Sequence, residues 1–223
     1  MEHIIWPEQQ AYLESIRKEE DHLILEMEQY AKEHRVPILD WKSVELMENL
    51  ILMNRPRRVL EIGTAIAYSS IHIARCLRKK GRLVTIEFSE DNLKLAEENI
   101  RNSGYKDKIK LVKGNALDVM PKMKKKFDFI FLDADKEDYK ALFDLSMALL
   151  KKGGVIFVDN LLWHGYTAAK QVPKKFQAST EHIRKFNQEF LANPDLNASI
   201  LPVGDGIGLG VKKDKGIYAA EDS

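Results

Sequence analysis

Five short apolar runs in this chain each end in groups that could do chemistry: Glu61-Ile62-Gly63, Glu87, Gly114-Asn115-Ala116, Asp133-Ala134-Asp135-Lys136 and Asp159-Asn160. A carboxylate closing a strand, as Glu87 would, can accept the two hydroxyls of a ribose. The alternative, which the other strand ends disfavour, is that it caps a helix opening at Ser89. Asp133, Asp159 and Asn160 offer two carboxylates and an amide carbonyl, hard oxygen ligands for magnesium or calcium with positions left open for substrate. Asp159-Asn160 taken alone would also suit a plain turn. The stretch "VLEIGTAIAYS" at 59–69 reads as a strand, a tight turn and a helix. A dinucleotide fold would need G-x-G-x-x-G there, and only the first glycine is present. Ala65 and Ala67 stand where pyrophosphate glycines would be, and Glu61 would repel phosphate. A ligand with ribose but no phosphate fits better, and S-adenosylmethionine is such a ligand.

Groups at strand ends meet only if the strands run side by side in the same direction. The pattern supplies that arrangement. Helices are expected over 8–34 and 40–53, the first ended by Pro37. Strands follow at 57–62, 82–87, 108–113, 127–133 and 154–159, separated by helices at 67–80, 90–103, 116–121 and 136–150. The strands are mostly apolar, as in a parallel sheet covered on both faces. A loop at 160–173, a helix at 174–192 and strands at 197–203 and 207–212 complete the chain, the last two joined by Gly204-Asp205-Gly206, a hairpin signal. The fold class is therefore α/β: a Rossmann-like doubly wound sheet of about seven strands, mostly parallel with an antiparallel C-terminal pair, plus N-terminal helices. Ligands of such sheets bind beyond the carboxyl ends of the strands. The expected organisation is an N-terminal helical extension at 1–53, a lid or dimer interface, then a catalytic domain at 54–213 and a frayed tail at 214–223.

Composition narrows the alternatives. At 223 residues, 44% hydrophobic and 31% charged, the chain suits one soluble domain. No apolar run approaches a membrane span and no signal peptide is visible, so a cytoplasmic protein is expected. The single cysteine, Cys76, excludes an internal disulfide and reads as a small buried hydrophobe. Six scattered histidines lack an i, i+4 pair, which argues against a histidine metal site, and His72 reads as packed. Basic runs at 55–58, 78–80, 122–126 and 151–152 precede strands, which places them at the amino edge, opposite the site.

The motifs "EIGTAIAYS", "LVTIEFSEDNLKLAEENI", "DFIFLDADKEDY", "GGVIFVDNLLWHG" and "VGDGIGLGVKK" together make residues 36–212 resemble class I S-adenosylmethionine-dependent O-methyltransferases of the catechol and caffeoyl-CoA type. Within these the chain is most similar to the bacterial branch that methylates 5-hydroxyuridine at the tRNA wobble position. The resemblance implies cofactor contacts at Leu39, Glu61, Gly63, Thr64, Ser69, Glu87, Ala116, Asp133 and Asp135. It implies Mg2+ or another divalent cation on Asp133, Asp159 and Asn160. Lys136 falls on the general base of catechol methyltransferases, beside Asp133; an exposed lysine at a helix start is the alternative reading. The resemblance further implies a homodimer, and the tRNA anticodon region as substrate, giving 5-methoxyuridine. The alternative is a small catechol or caffeoyl-type acceptor. Catechol, caffeoyl groups and 5-hydroxyuracil all carry neighbouring oxygens that one cation could chelate. Trp163, Tyr68 and Tyr166 are candidates for stacking on an acceptor ring. Two departures stand out: Ala67, where most relatives have glycine, and Gly208, where animal catechol enzymes carry a substrate-binding glutamate.

Overall fold

The computed structural model describes residues 6–214; residues 1–5 and 215–223, which include nearly all of the expected tail, lie outside the described residues. The chain opens with α1 (Pro7–Ile16), α2 (His22–His34) and α3 (Trp41–Asn54). The helix expected over 8–34 is thus two helices. Arg17 turns extended, and Asp21 starts α2 by accepting from the Leu23 amide at 3.0 Å. No glycine or proline marks this break. Ion pairs made across the fold impose it, overriding helix propensity: Arg17 grips Glu28 at 2.8 and 2.5 Å, and Glu19 accepts from Arg75 at 3.0 Å.

Strands and helices then alternate: β1 (Arg58–Ile62), α4 (Tyr68–Cys76), β2 (Arg82–Glu87), α5 (Glu90–Asn102), β3 (Ile109–Lys113), α6 (Ala116–Val119), β4 (Phe127–Leu132), α7 (Tyr139–Leu149) and β5 (Leu150–Val158). Last come α8 (Gln177–Leu191), β6 (Leu196–Leu201) and β7 (Ile207–Lys212). α4 ends at Cys76 rather than at residue 80, because Leu77 turns extended and Lys108 Nζ takes the Ala74 and Leu77 carbonyls at 2.9 and 2.6 Å. The helix expected from 136 opens as a 3-10 turn, Lys136–Asp138, before α7. The sheet order is β3-β2-β1-β4-β5-β7-β6, parallel through β5, with β7 inserted antiparallel between β5 and β6.

The strands β1 to β6 feed two cores. In β4, Phe129 and Phe131 face the core shared with α2, α3 and α4, while Ile130 and Leu132 face the one shared with α7 and α8. Met47 and Ile51 of α3 and Ile24 of α2 are fully buried in the first, so these helices cover one face of the sheet. With both faces sealed, polar groups have access to ligand only at the strand ends.

Candidate active site

The turn after β1 is built on one glycine. Gly63 has φ +95°, and a Cβ there would stand 1.8 Å from the Asp133 carbonyl oxygen at the end of β4. Ala65 and Ala67 are also left-handed, at φ 46° and 69°. Glycine at 67 would adopt that conformation without the side-chain clash, so the alanine here carries backbone strain that a glycine would not.

Glu61 lies beneath the turn, fully buried. Its carboxylate accepts from Ser69 Oγ at 2.6 Å and from Ser70 Oγ. Burial pushes its carboxyl up to about 7; the hydroxyls of Ser69, Ser70 and Thr85 pull it down, and the charge of Asp133 adds to the rise. The ordinary value is 4.5, so between about 4.5 and 7 the folded chain holds a proton that the unfolded chain has released. Stability therefore falls as pH rises through that window, by about 3 kcal/mol in all. Glu61→Gln carries no such charge. Its melting temperature relative to the parent should rise from pH 5 to pH 8, by about 5–10 °C. An equal offset at both pH values would show Glu61 ionised throughout.

Glu87 is 6% exposed and closes β2. Oε2 accepts from the Ala65 amide at 2.9 Å, and Oε1 from the Phe88 and Ser89 amides at 3.0 and 2.9 Å. The carboxylate thus shapes the strand-to-helix turn and ties it to the turn after β1, while Ser89 itself caps α5. With three of about four lone-pair sites taken, it has less room for a pair of ribose hydroxyls than the sequence alone suggests. Thr64 is buried with its hydroxyl 2.5 Å from that of Thr85. Leu39 and Ser69 are buried, and Ala116 opens α6 behind its cap Asn115.

At the ends of β4 and β5 the structure gathers Asp133, Lys136, Tyr139, Asp159 and Asn160. Lys136 Nζ donates to Asn160 Oδ1 at 2.7 Å, Tyr139 Oη at 2.6 Å and the Ala134 carbonyl at 3.0 Å, and lies 3.3 Å from Asp133 Oδ1. Its side chain is only 9% exposed, which removes the reading as a solvated helix-start lysine. Tyr139, fully buried, passes its own hydroxyl proton toward the Asp159 carbonyl at 3.0 Å. Burial, reinforced by the charge of Asp133, pushes the Asp159 carboxyl well above the ordinary carboxylate range.

This donor set fits a divalent cation. The charge of the partly exposed Asp133 disfavours ionisation of the buried Asp159, and the Asn160 amide oxygen points at the Lys136 ammonium; a hard cation would relieve that repulsion. Among the described residues no three His, Cys, Asp or Glu side chains cluster around a metal position, and the set here needs only two, completed by Asn160. Asp135 is exposed at the head of the Lys136–Asp138 turn.

The loop after β5 covers this cluster. Asn160, Trp163 and His164 are left-handed, at φ 61°, 47° and 55°. The Trp163 ring centroid lies 5.4 Å from Lys136 Nζ, and Phe176 packs against Trp163, His164 and Tyr166. Tyr68 is turned elsewhere, its hydroxyl 2.5 Å from Glu28. Arg184 holds the loop by donating to the carbonyls of Tyr166, Thr167 and Ala169 at 2.6–3.0 Å.

Sequence reasoning passed over Arg184, Ser70 and Tyr139. For Tyr139 a signal existed: it follows Lys136 by three residues where a helix begins, a spacing that brings side chains together.

The basic runs sit at the amino edge, and several residues there have local partners. Lys108, Lys126, Arg82 and Lys212 take carbonyls at or near helix and turn ends, and Lys151 pairs with Asp128 at 2.5 Å. All helices that follow a strand point their negative C-terminal ends this way, which draws cations to this edge. His72 is buried on Glu48 at 2.9 Å, and burial pushes the Cys76 thiol up to about 12, which makes it inert. No helix among the described residues is long and apolar enough to cross a membrane.

Comparison with known proteins follows the same lines. The family model described as O-methyltransferase matches residues 11–213. A catechol O-methyltransferase from Niastella koreensis is 30% identical over 180 residues, covering 79% of this chain and 78% of its own length. Caffeoyl-CoA O-methyltransferase 1 from Eucalyptus globulus is 30% identical over 173 residues, 74% of this chain and 70% of its own. The crystal structure of an O-methyltransferase from Bacillus cereus in complex with SAH superposes with a TM-score of 0.80 at 30% identity, covering 93% of this chain and 98% of its own.

Proposed function

Because the chain belongs to the S-adenosylmethionine-dependent O-methyltransferase family, we propose that it methylates one of two neighbouring oxygens on a small catechol- or caffeoyl-type acceptor in a reaction that needs a divalent cation. One observation carries this reading: the Lys136 ammonium is held between Asp133 and Asn160, beneath the Trp163 ring. The small acceptor is supported by what the relatives above are called. The expected 5-hydroxyuridine substrate in tRNA draws no support from them, and capping of helix ends offers a local role for several of the basic residues.

Asp133, Asp159 and Asn160 would hold the cation, which supplies the charge that acidifies an acceptor hydroxyl. Lys136 Nζ would serve as base only in its neutral amine form, its ammonium proton having first passed to solvent; the amine then takes the hydroxyl proton as the oxygen receives its methyl group. Trp163, Tyr166 and Phe176 would wall the acceptor ring and exclude water. Glu87, through the lone pair its three amide bonds leave free, would accept from one ribose hydroxyl, and Glu61 would balance the cationic methionine end. Gly208 is packed so that a Cβ would stand 2.5 Å from Leu161 Cδ1. The glutamate that animal catechol enzymes carry therefore has no room here, and substrate contact falls to the loop after β5.

The test is labelled methyl transfer to catechol, to caffeate and to tRNA from a strain lacking this protein, with Mg2+ and with a chelator. Metal-dependent turnover of a small acceptor is expected. Label entering only the wobble nucleoside would move the acceptor to tRNA, and absence of turnover with all three would overturn the reading. The homodimer remains part of this proposal, supported by α1, which buries none of its residues and leaves Tyr12 and Ile16 exposed next to Trp6. Sedimentation should give about twice the 25.7 kDa chain mass.

A further inference from the structure

The β6–β7 connection reaches over the end of β5 and grips the loop that follows it. Leu161 N donates to Gly206 O and Leu162 N to Asp205 O, both at 2.9 Å. The approach is close: a Cβ on Gly206 would stand 2.6 Å from the Leu162 amide nitrogen. Asp205 then uses both carboxylate oxygens on the same loop. Oδ1 accepts from the His164 amide at 2.5 Å, and Oδ2 accepts from Asn160 Nδ2 at 3.3 Å.

The opposite end of the Asn160 amide faces Lys136 Nζ through Oδ1 at 2.7 Å. An asparagine amide has nearly the same shape in its two flips, but only one turns oxygen toward a cation. A carboxylate at one end of the amide attracts the NH2 group and repels the carbonyl oxygen. Asp205 therefore selects the flip that aims Asn160 Oδ1 at the cation position. Its side chain is 20% exposed, so water screens the effect only in part. The same carboxylate pins His164 in its left-handed conformation, next to Trp163.

We propose that Asp205 is a positioning residue for the cation site, fixing the amide of Asn160 so that its oxygen completes the ligand set. The proposal rests on the cation-dependent reading above. Asp205 acts through Asn160, so its effect should vanish when Asn160 is gone.

The test is Mn2+ binding to the S-adenosylhomocysteine complex, followed by the electron paramagnetic resonance signal of free Mn2+. Parent protein, Asp205→Asn, Asp205→Ser, Asn160→Ala and the double variant Asp205→Asn with Asn160→Ala are compared. Loss of a group that orients a metal ligand lowers metal affinity about 10- to 100-fold, and that loss is expected for both Asp205 variants, with S-adenosylhomocysteine affinity unchanged. In the Asn160→Ala background, Asp205→Asn should add nothing. Parental Mn2+ affinity in both single variants, or an equal loss with and without Asn160, would overturn the positioning role while leaving the cation reading intact. A parent protein that takes up no Mn2+ would overturn both.

Discussion

Asp159→Ala should bind S-adenosylhomocysteine as tightly as the parent protein and transfer methyl groups at least about 1,000-fold more slowly, a loss of about 4 kcal/mol in transition-state stabilisation. Cofactor affinity is spared because Asp159 lies at the end of β5, two strands away from the β1 turn and three from Glu87 on β2. The isosteric Asp159→Asn adds a second readout. In the parent, Asp159 is 5% exposed, and burial with the neighbouring Asp133 charge disfavours its ionised form. A carboxyl whose value is raised in the folded state subtracts stability as pH climbs above its unfolded value. In chelator at neutral pH, Asp159→Asn should therefore melt a few degrees above the parent while remaining inactive. Calorimetry of the S-adenosylhomocysteine complex and single-turnover rates check both halves. Parental turnover by either variant would remove Asp159 from the site.

Gly63→Ala is the second large effect, and it acts through the backbone. The new methyl would meet the Asp133 carbonyl at 1.8 Å, and no rotamer can move it away. The end of β1 would have to part from the end of β4, which carries Asp133 and positions Lys136. A destabilisation of more than about 3 kcal/mol is expected from this clash added to left-handed strain, with cofactor affinity falling more than 100-fold. Gly104→Ala is the control. Gly104 is also left-handed, at φ +75°, but has nothing within 4 Å of the added Cβ, so it reports strain alone at about 1–2 kcal/mol. Urea denaturation of the two variants and cofactor titration decide the matter. Equal losses would show that the contact with Asp133 has no consequence.

The sheet was legible because apolar runs such as Phe129-Ile130-Phe131-Leu132 have few other uses, and their polar ends marked one edge as functional. Of the candidate site, the convergence of Asp133, Lys136, Asp159 and Asn160 was legible. What sequence reasoning missed were the contacts that orient them. Asp205 reads as turn chemistry and Arg184 as a solvated face, since each acts on a loop distant in the chain; Tyr139 is three residues from Lys136, but its bond to the Asp159 carbonyl is not local. The break between α1 and α2 was hidden for the same reason: Glu19 finds Arg75 across the fold, a pairing that local propensity does not encode. Glu87 shows the converse. Its position was plain, but the three amides already bound to its carboxylate were not.

The late arrival of β7 beside β5 gives the site a birth order. A ribosome releases the half proposed to hold the cofactor first, from the β1 turn through β3, and with it Gly63, Glu61 and Glu87. β5 then waits with one side unpaired until Ile207–Lys212 is made, an apolar edge open to wrong partners during synthesis. Asn160 meets Asp205 only after 45 more residues have been added. A nascent chain can thus complete the framework of the β1 turn before it can orient the Asn160 amide, so interrupted synthesis would yield a chain without the assembled centre proposed for chemistry.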